Sequence, residues 1–288
     1  PDHIGTGPGE HKDFDEYLAC KKLLFSQVKH AVANRDDVHW REITGQAPDV
    51  CTFSHREEAD FYAADLKKLW EPGILGSSFS VCGRVQEELA VGMPGEFNVE
   101  NALAATAVTA LLGVGAEARQ AALRRIAVKG RTQLLPETPK HATFIIDYAH
   151  NALSMESLLK MLKGYEPKRL ICLFGGGGNR PRQRRFDMGE MAGKYADLTI
   201  LTMDNPRDES MESINADIIQ GLNVYGGRYD IIPDREDAIH YLLESCGTGD
   251  IVALIGKGHE EYQEVRGVKY YFSEEKIVLD YLRDRQKE

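Results

Sequence analysis

Three observations predict an α/β chain built in two differently organised parts. From about residue 128, short apolar runs alternate with stretches of helical spacing. Residues 50–92 instead hold β-prone runs broken by Gly and Pro, and residues 98–127 carry the spacing of two helices. Strands packed by helices are therefore expected first. A mostly parallel, doubly wound sheet with right-handed crossovers is expected second. The boundary is placed between 127 and 128, giving parts 1–127 and 128–288.

The elements follow in order. FDEYLACKKLLFSQVKH, 14–30, has apolar residues at helical spacing and Asp13 in position to cap it. The runs CTFS, FYAADL, SSFSVCG and EELAVGM read as a β-meander. NVENALAATAVTALLGVG, 98–115, reads as a helix closed by Gly, and AEARQAALRRIA, 116–127, as a second. TFIID (143–147), RLICLF (169–174), LTILT (198–202), YDII (229–232) and IVALI (251–255) read as buried strands. The first four are followed by helical stretches. A KYYF strand and a last helix from about 274 complete the chain.

Composition narrows the function. Of 288 residues, 42% are hydrophobic and 28% charged, an ordinary globular balance with length for two domains. The formal net charge of −10 argues against nucleic acid, whose phosphates need basic surface. Five cysteines without paired spacing favour a reducing, cytoplasmic setting, with Cys82 and Cys172 as small core residues. No apolar run approaches the roughly 18 residues of a membrane span, and no signal peptide is legible. The chain opens Pro1-Asp2-His3 without a methionine, so a fragment of a longer protein is expected.

In doubly wound sheets, ligands bind beyond the carboxyl ends of the strands. Four of the five strands end there in polar or glycine-rich sequence: DYAHN (147–151), GGGGNR (175–180), DNPR (204–207) and GKGHEE (256–261). Singly, each reads as turn chemistry: GGGG lacks dinucleotide spacing, Asn205-Pro206 favours extended backbone, and Lys257 reads as solvated. Together at one rim they point to a site. Arg180, Arg182, Arg184 and Arg185 crowd one loop of an acidic chain, and guanidinium forks suit carboxylates and phosphates. Arg182 and Arg185 are expected to face solvent. Asp204 and Glu260 at the same rim add a place for an ammonium, so an amino acid with anionic partners fits both signs.

These motifs, in the order DHIGTGPGEHKDFDEYLACKKLLF, MPGEFNVENALAA, KGRTQLL, DYAHN, FGGGGNR, DNPR and GKGHEEYQ, resemble the Mur ligases. Those enzymes use ATP to add amino acids to the peptidoglycan precursor, and the resemblance runs over nearly the whole chain. It implies the back part of a central ATPase domain over 1–127 and a Rossmann-like C-terminal domain over 128–288. It implies ATP and magnesium as cofactors. The partners implied are a UDP-N-acetylmuramoyl dipeptide and an amino-acid acceptor, acting on a monomer. The matching magnesium residues are His3 and Lys21, the lysine being carbamylated in the family, with Lys22 the competing register. Asn98, Arg131, Asp147 and His150 match nucleotide contacts. Arg180, Asp204, Asn205, Arg207, Gly256 and Glu260 match acceptor contacts. The DNPR form implies meso-diaminopimelate, whose extra carboxylate suits Arg207. The resemblance places the phosphate loop and the UDP-gripping domain upstream of Pro1, so the chain alone is expected to lack turnover. Two residues depart from the pattern: Asn151-Ala152 stands where Thr-Pro is usual, and Asn179 where Asp is common. They leave open a paralogue with another acceptor, or a non-catalytic amino-acid-binding module.

Overall fold

The computed structural model describes residues 11–285. They divide into two compact units, one holding the chain up to Leu69 together with Gly76–Ile126, the other Trp70–Leu75 with Ala127 onward.

In the first unit, α1 (Phe14–Phe25) begins at Asp13, whose carboxylate accepts the Glu16 N–H at 2.9 Å. It stops five residues short of the expected His30. Residues His30–Asn34 form β1 instead, pairing in parallel with β2 (Asp49–Ser54) after which the chain passes no helix longer than α2 (Trp40–Thr44) between them. Residues 26–29 turn the chain into β1, which starts at the last residue of the expected helix. Next come β3 (Phe61–Glu71), β4 (Ile74–Gly83) and β5 (Glu87–Val91), completing a sheet in simple order β1 to β5. The expected meander holds for β4 and β5, which are antiparallel, but β2 and β3 run parallel. Parallel neighbours ordinarily need a long crossover. Only Phe53↔Phe61 and Ser54↔Tyr62 overlap, so a short loop suffices. Helix α3 (Glu96–Leu111) lays Val99, Ala102, Leu103, Thr106 and Ala107 on a core of Phe61, Phe79, Val81, Leu89 and Val91, and α4 (Ala116–Arg124) adds Leu123.

The second unit is doubly wound. Its sheet holds β6 (Gln133–Leu134), β7 (Thr143–Asp147), β8 (Arg169–Phe174), β9 (Leu198–Leu201), β10 (Tyr229–Ile231) and β11 (Asp250–Ile255). The order is β10-β9-β8-β11-β7-β6, parallel throughout except for β6. Helices α5 (Ala152–Lys163), α6 (Arg182–Tyr195) and α7 (Met211–Leu222) bury Met155, Leu159, Met188 and Ile218 on one face. Helices α8 (Arg235–Ser245) and α9 (Glu274–Arg285) bury Ile239, Leu242 and Val278 on the other. Side chains of β8 and β11 alternate between these two cores, which is why those strands read as continuous apolar runs. A hairpin of β12 (Tyr262–Val265) and β13 (Val268–Tyr271) turns through Arg266 and Gly267, both at positive φ. Only its second strand was legible in advance.

Helices α6 and α7 approach backbone to backbone. A Cβ on Gly189 would lie 2.1 Å from the Ile218 carbonyl oxygen, and one on Gly221 2.0 Å from that of Phe186. Overpacking of this kind costs about 1–3 kcal/mol. Gly189→Ala should therefore lower the urea midpoint of this unit by an amount equivalent to about 2 kcal/mol; an unchanged midpoint would show that the helices can part freely.

Candidate active site

Because β7, β8, β9 and β11 are parallel neighbours, their carboxyl ends share one rim. The four sequences expected to meet there do meet. They line a cleft of about 270 Å³ whose walls include Tyr148, His150, Gly175–Gly177, Arg180, Arg184, Arg185, Asp204, Asn205, Arg207, Gly256 and Glu260. All six expected acceptor residues are on this wall, as is His150.

The cleft is held from beneath by Lys257. Its side chain is fully buried, correcting the expectation of a solvated lysine. Lys257 Nζ donates to Asn205 Oδ1 at 2.6 Å and to the Tyr262 carbonyl at 2.8 Å. It also lies 2.8 Å from Asp204 Oδ1, off the line of a straight hydrogen bond, so that attraction is mainly coulombic. Burial pushes the ammonium below its ordinary pKa, against the pull of Asp204. Buried Asn205 is engaged at both ends of its amide: Oδ1 also accepts the Glu264 N–H at 2.9 Å, and Nδ2 donates to Glu260 Oε2 at 3.1 Å. Tyr148 Oη, at 3.4 Å, donates to the other Glu260 oxygen.

Arg207 sits at φ 51°, a region that non-glycine residues seldom occupy. Two backbone bonds hold it there, its N–H to the Glu264 carbonyl (3.2 Å) and its carbonyl from the Arg266 N–H (2.9 Å). Its guanidinium donates to Glu264 Oε2 at 3.2 Å and to the Gly178 carbonyl at 2.8 Å. Gly178 itself must be glycine: a Cβ would fall 1.8 Å from the Pro206 carbonyl oxygen. Arg180 is exposed and forms no ion pair among the described residues, so its charge is open to the cleft. Arg184 donates to the His150 carbonyl, and burial followed by the Arg180 charge lowers its pKa.

Arg185 was expected in solvent and is instead 2% exposed. Its guanidinium grips the Gly177 carbonyl, Glu209 and Asp217, and so ties the glycine loop to α7. The apolar spacing of α6 carries no sign of this inward arginine. Arg182 is exposed as expected, paired to Asp217. The two departures from the family pattern have local reasons. Asn151 caps α5, accepting the Ser154 N–H in a capping box, which does the helix-starting work of Thr-Pro. Asn179 adopts φ 55° and donates from Nδ2 to Asp208 at 2.7 Å, joining two rim loops.

Among the expected nucleotide residues, Asp147 accepts the Thr132 and Ala149 N–H groups at 2.7 and 2.8 Å. Burial nonetheless raises its pKa above the ordinary value. Arg131 is exposed, 6.0 Å from the Tyr148 ring centre, and the His150 ring packs at a tilt against the same ring, centre to centre 4.8 Å. Asn98, in the first unit, is buried and donates to the Pro94 carbonyl. Lys21, also in that unit, is exposed with Nζ 5.3 Å from the Tyr17 ring centre, whereas Lys22 is paired with Glu42. His3 lies outside the described residues. One unforeseen group, Asp36, His55 and Glu100, brings three donor atoms within 4.8 Å. Asp36 there accepts from Ser54 Oγ and the His55 N–H, and His55 Nε2 faces Arg56.

Two outcomes follow from these contacts. Lys257→Met should cost about 3 kcal/mol in denaturant unfolding, since it leaves the Asp204 carboxylate without its buried partner; a neutral result would mean that the ammonium is dispensable. Glu209 is held at about 2 by Arg185, against an ordinary 4.5. A depressed carboxylate stabilises the fold above its unfolded pKa and loses that contribution as pH falls. The loss should span pH 4.5 down to about 2 and be absent in Glu209→Gln, as read from urea midpoints across pH.

Known proteins are similar to this chain in sequence and in fold. Two family descriptions match: Mur ligase middle domain over residues 1–109, and Mur ligase glutamate ligase domain over residues 130–258. A UDP-N-acetylmuramoyl-L-alanyl-D-glutamate--2,6-diaminopimelate ligase of Caldanaerobacter subterraneus subsp. tengcongensis is 37% identical over 282 residues, covering 96% of this chain and 57% of the relative. The protein of that name from Aquifex aeolicus is 35% identical, covering 94% and 55%. A solved structure of such a ligase superposes with a TM-score of 0.76 at 32% identity, covering 98% of this chain and 59% of that one. A folylpolyglutamate synthase from Thermotoga maritima shares the fold alone, with a TM-score of 0.62 at 19% identity. The chain spans little more than half the length of the relatives it matches. Through both of its matched domains, it belongs to the Mur ligase family.

Proposed function

We propose that this chain is part of an ATP-dependent ligase that joins 2,6-diaminopimelate, in its meso form, to UDP-N-acetylmuramoyl-L-Ala-D-Glu. The observation that carries this reading is the two-signed cleft. Arg180, Arg184 and Arg207 face Asp204 and Glu260 across one small cavity. A ligand with carboxylates and ammonium groups at separated positions fits that pattern, and the names of the relatives supply its identity.

In this reading, the terminal carboxylate of the dipeptide takes the γ-phosphoryl group of ATP, giving an acyl phosphate and ADP. The acceptor amine attacks the acyl carbon, phosphate leaves, and the amine gives up a proton. The protein's part is positioning and charge complementarity. Arg207 receives the distal carboxylate of the acceptor, Arg180 a second carboxylate, and Glu260 an ammonium. Asp204, Asn205 and Gly256 shape the wall. A bound lysine would leave Arg207 facing a cation with no carboxylate to neutralise it, which is the physical basis for discrimination.

Arg131 and His150 offer exposed side chains to the nucleotide, with Asp147 shaping the loop that carries them and Asn98 bracing α3. Magnesium, when bound, would neutralise phosphate charge. Lys21 fits a role in holding it, as its carbamate, because no carboxylate claims its amine among the described residues whereas Lys22 is engaged by Glu42.

Phosphate release by the full-length protein, given ATP, magnesium, the UDP-dipeptide and either acceptor, tests the reading. Release should require the acceptor and strongly favour meso-diaminopimelate over L-lysine. Arg207→Ala should raise the KM for diaminopimelate at least about tenfold, the weight of one charge-assisted hydrogen bond, without changing that for ATP. Lys21→Ala should lower kcat by about 100-fold or more and recover partly with acetate or formate. Equal turnover of both acceptors by the unmutated enzyme would refute the assignment of Arg207.

A further inference from the structure

We propose that Glu264, which belongs to none of the recognised motifs, is the positioning residue that makes Arg207 selective. The inference rests on the reading of Arg207 as the acceptor's carboxylate partner.

A guanidinium on a four-bond stem is a poor selector unless its plane is fixed. Arg207 has five N–H donors. Nε–H goes to Glu264 Oε2 at 3.2 Å, and one Nη1–H goes to the Gly178 carbonyl at 2.8 Å. These two bonds lie at different edges of the group, so together they set its plane. The remaining Nη donors stay available to the cleft that Arg207 lines. Glu264 is not among the residues of that wall, so it acts through Arg207 rather than on the ligand. The two side chains are 21% and 23% exposed, sheltered enough for the pair to hold its geometry.

The backbone makes the pairing obligatory. The Glu264 carbonyl accepts the Arg207 N–H, and the Glu264 N–H donates to Asn205 Oδ1, the same oxygen that accepts from Lys257. The first residues of the rim motif and the strand carrying Glu264 therefore move as one piece. The carboxylate also supplies a counter-charge to Arg207 when no acceptor is bound, in a cleft that already holds Arg180 and Arg184.

The test uses Glu264→Ala and Glu264→Gln in the full-length enzyme, with KM and kcat measured separately for each substrate. Both backbone bonds of residue 264 survive either change. Glu264→Ala should raise the KM for meso-diaminopimelate about tenfold, the equivalent of one hydrogen bond to a charged group. It should also narrow the preference over L-lysine, while kcat and the KM for ATP stay within about twofold. Glu264→Gln should recover most of the lost affinity, because its amide oxygen still accepts from Nε–H. An unchanged diaminopimelate KM in Glu264→Ala overturns the inference, as does a loss shared equally by every substrate. Arg207→Ala, run alongside, separates the two claims. If it raises the acceptor KM while Glu264→Ala does not, only the positioning role fails; if neither has an effect, the reading of Arg207 fails as well.

Discussion

A single buried ammonium organises the rim of the second unit. Lys257 lies just past β11, yet it binds the loop after β9 through Asp204 and Asn205 and the start of β12 through the Tyr262 carbonyl. Burying a lone lysine costs several kcal/mol, and the cost is met only when its donors find acceptors in good geometry. That requirement makes the three segments interdependent. Asn205 then passes the constraint outward to Glu260 and Glu264, and Glu264 passes it to Arg207. The proposed acceptor contacts therefore stand on a frame, although every one of them is on a loop.

Other buried charges repeat the device. Arg235, with no exposure, donates to Glu274, to the Ile255 carbonyl and to the Met203 carbonyl, joining α8 and α9 to the ends of β11 and β9. Arg185 does the same for the glycine loop after β8. The parallel sheet sets where the strands end, and these cations set how the loops leave them. Such pairs contribute little net stability compared with apolar packing, but breaking one partner is costly. They suit a site that must be rigid while remaining open to a charged ligand.

Much of this was legible in the residues alone, for identifiable reasons. Five of the six strands of the doubly wound sheet read correctly, the half-exposed edge strand β10 among them, whereas two-residue β6 left no signal. Strands β7, β8, β9 and β11 did so because burial on both faces leaves apolar runs. Their common direction then forced DYAHN, GGGGNR, DNPR and GKGHEE to one rim. What escaped was whatever depended on tertiary partners. β1 went unread, apart from His30 at the end of the expected helix, because its pairing with β2 is not written locally. β2 and β3 read as a meander because nothing in the sequence shows that they overlap by so little. Lys257 and Arg185 read as solvated because a charged side chain declares its burial only through acceptors far along the chain. Asn151 and Asn179 looked like departures with consequences for the ligand, yet a helix cap and a left-handed turn account for them.

Arg207, held by Glu264 and Gly178, is proposed to read the far carboxylate of the acceptor. A crystal structure of the full-length protein with meso-diaminopimelate bound tests it most directly. The distal carboxylate should lie within hydrogen-bond distance of the Arg207 Nη atoms, with the Nε–Glu264 and Nη1–Gly178 bonds still in place. An acceptor bound with that carboxylate turned away from Arg207, or with Glu264 displaced by it, would rule out this role for Arg207.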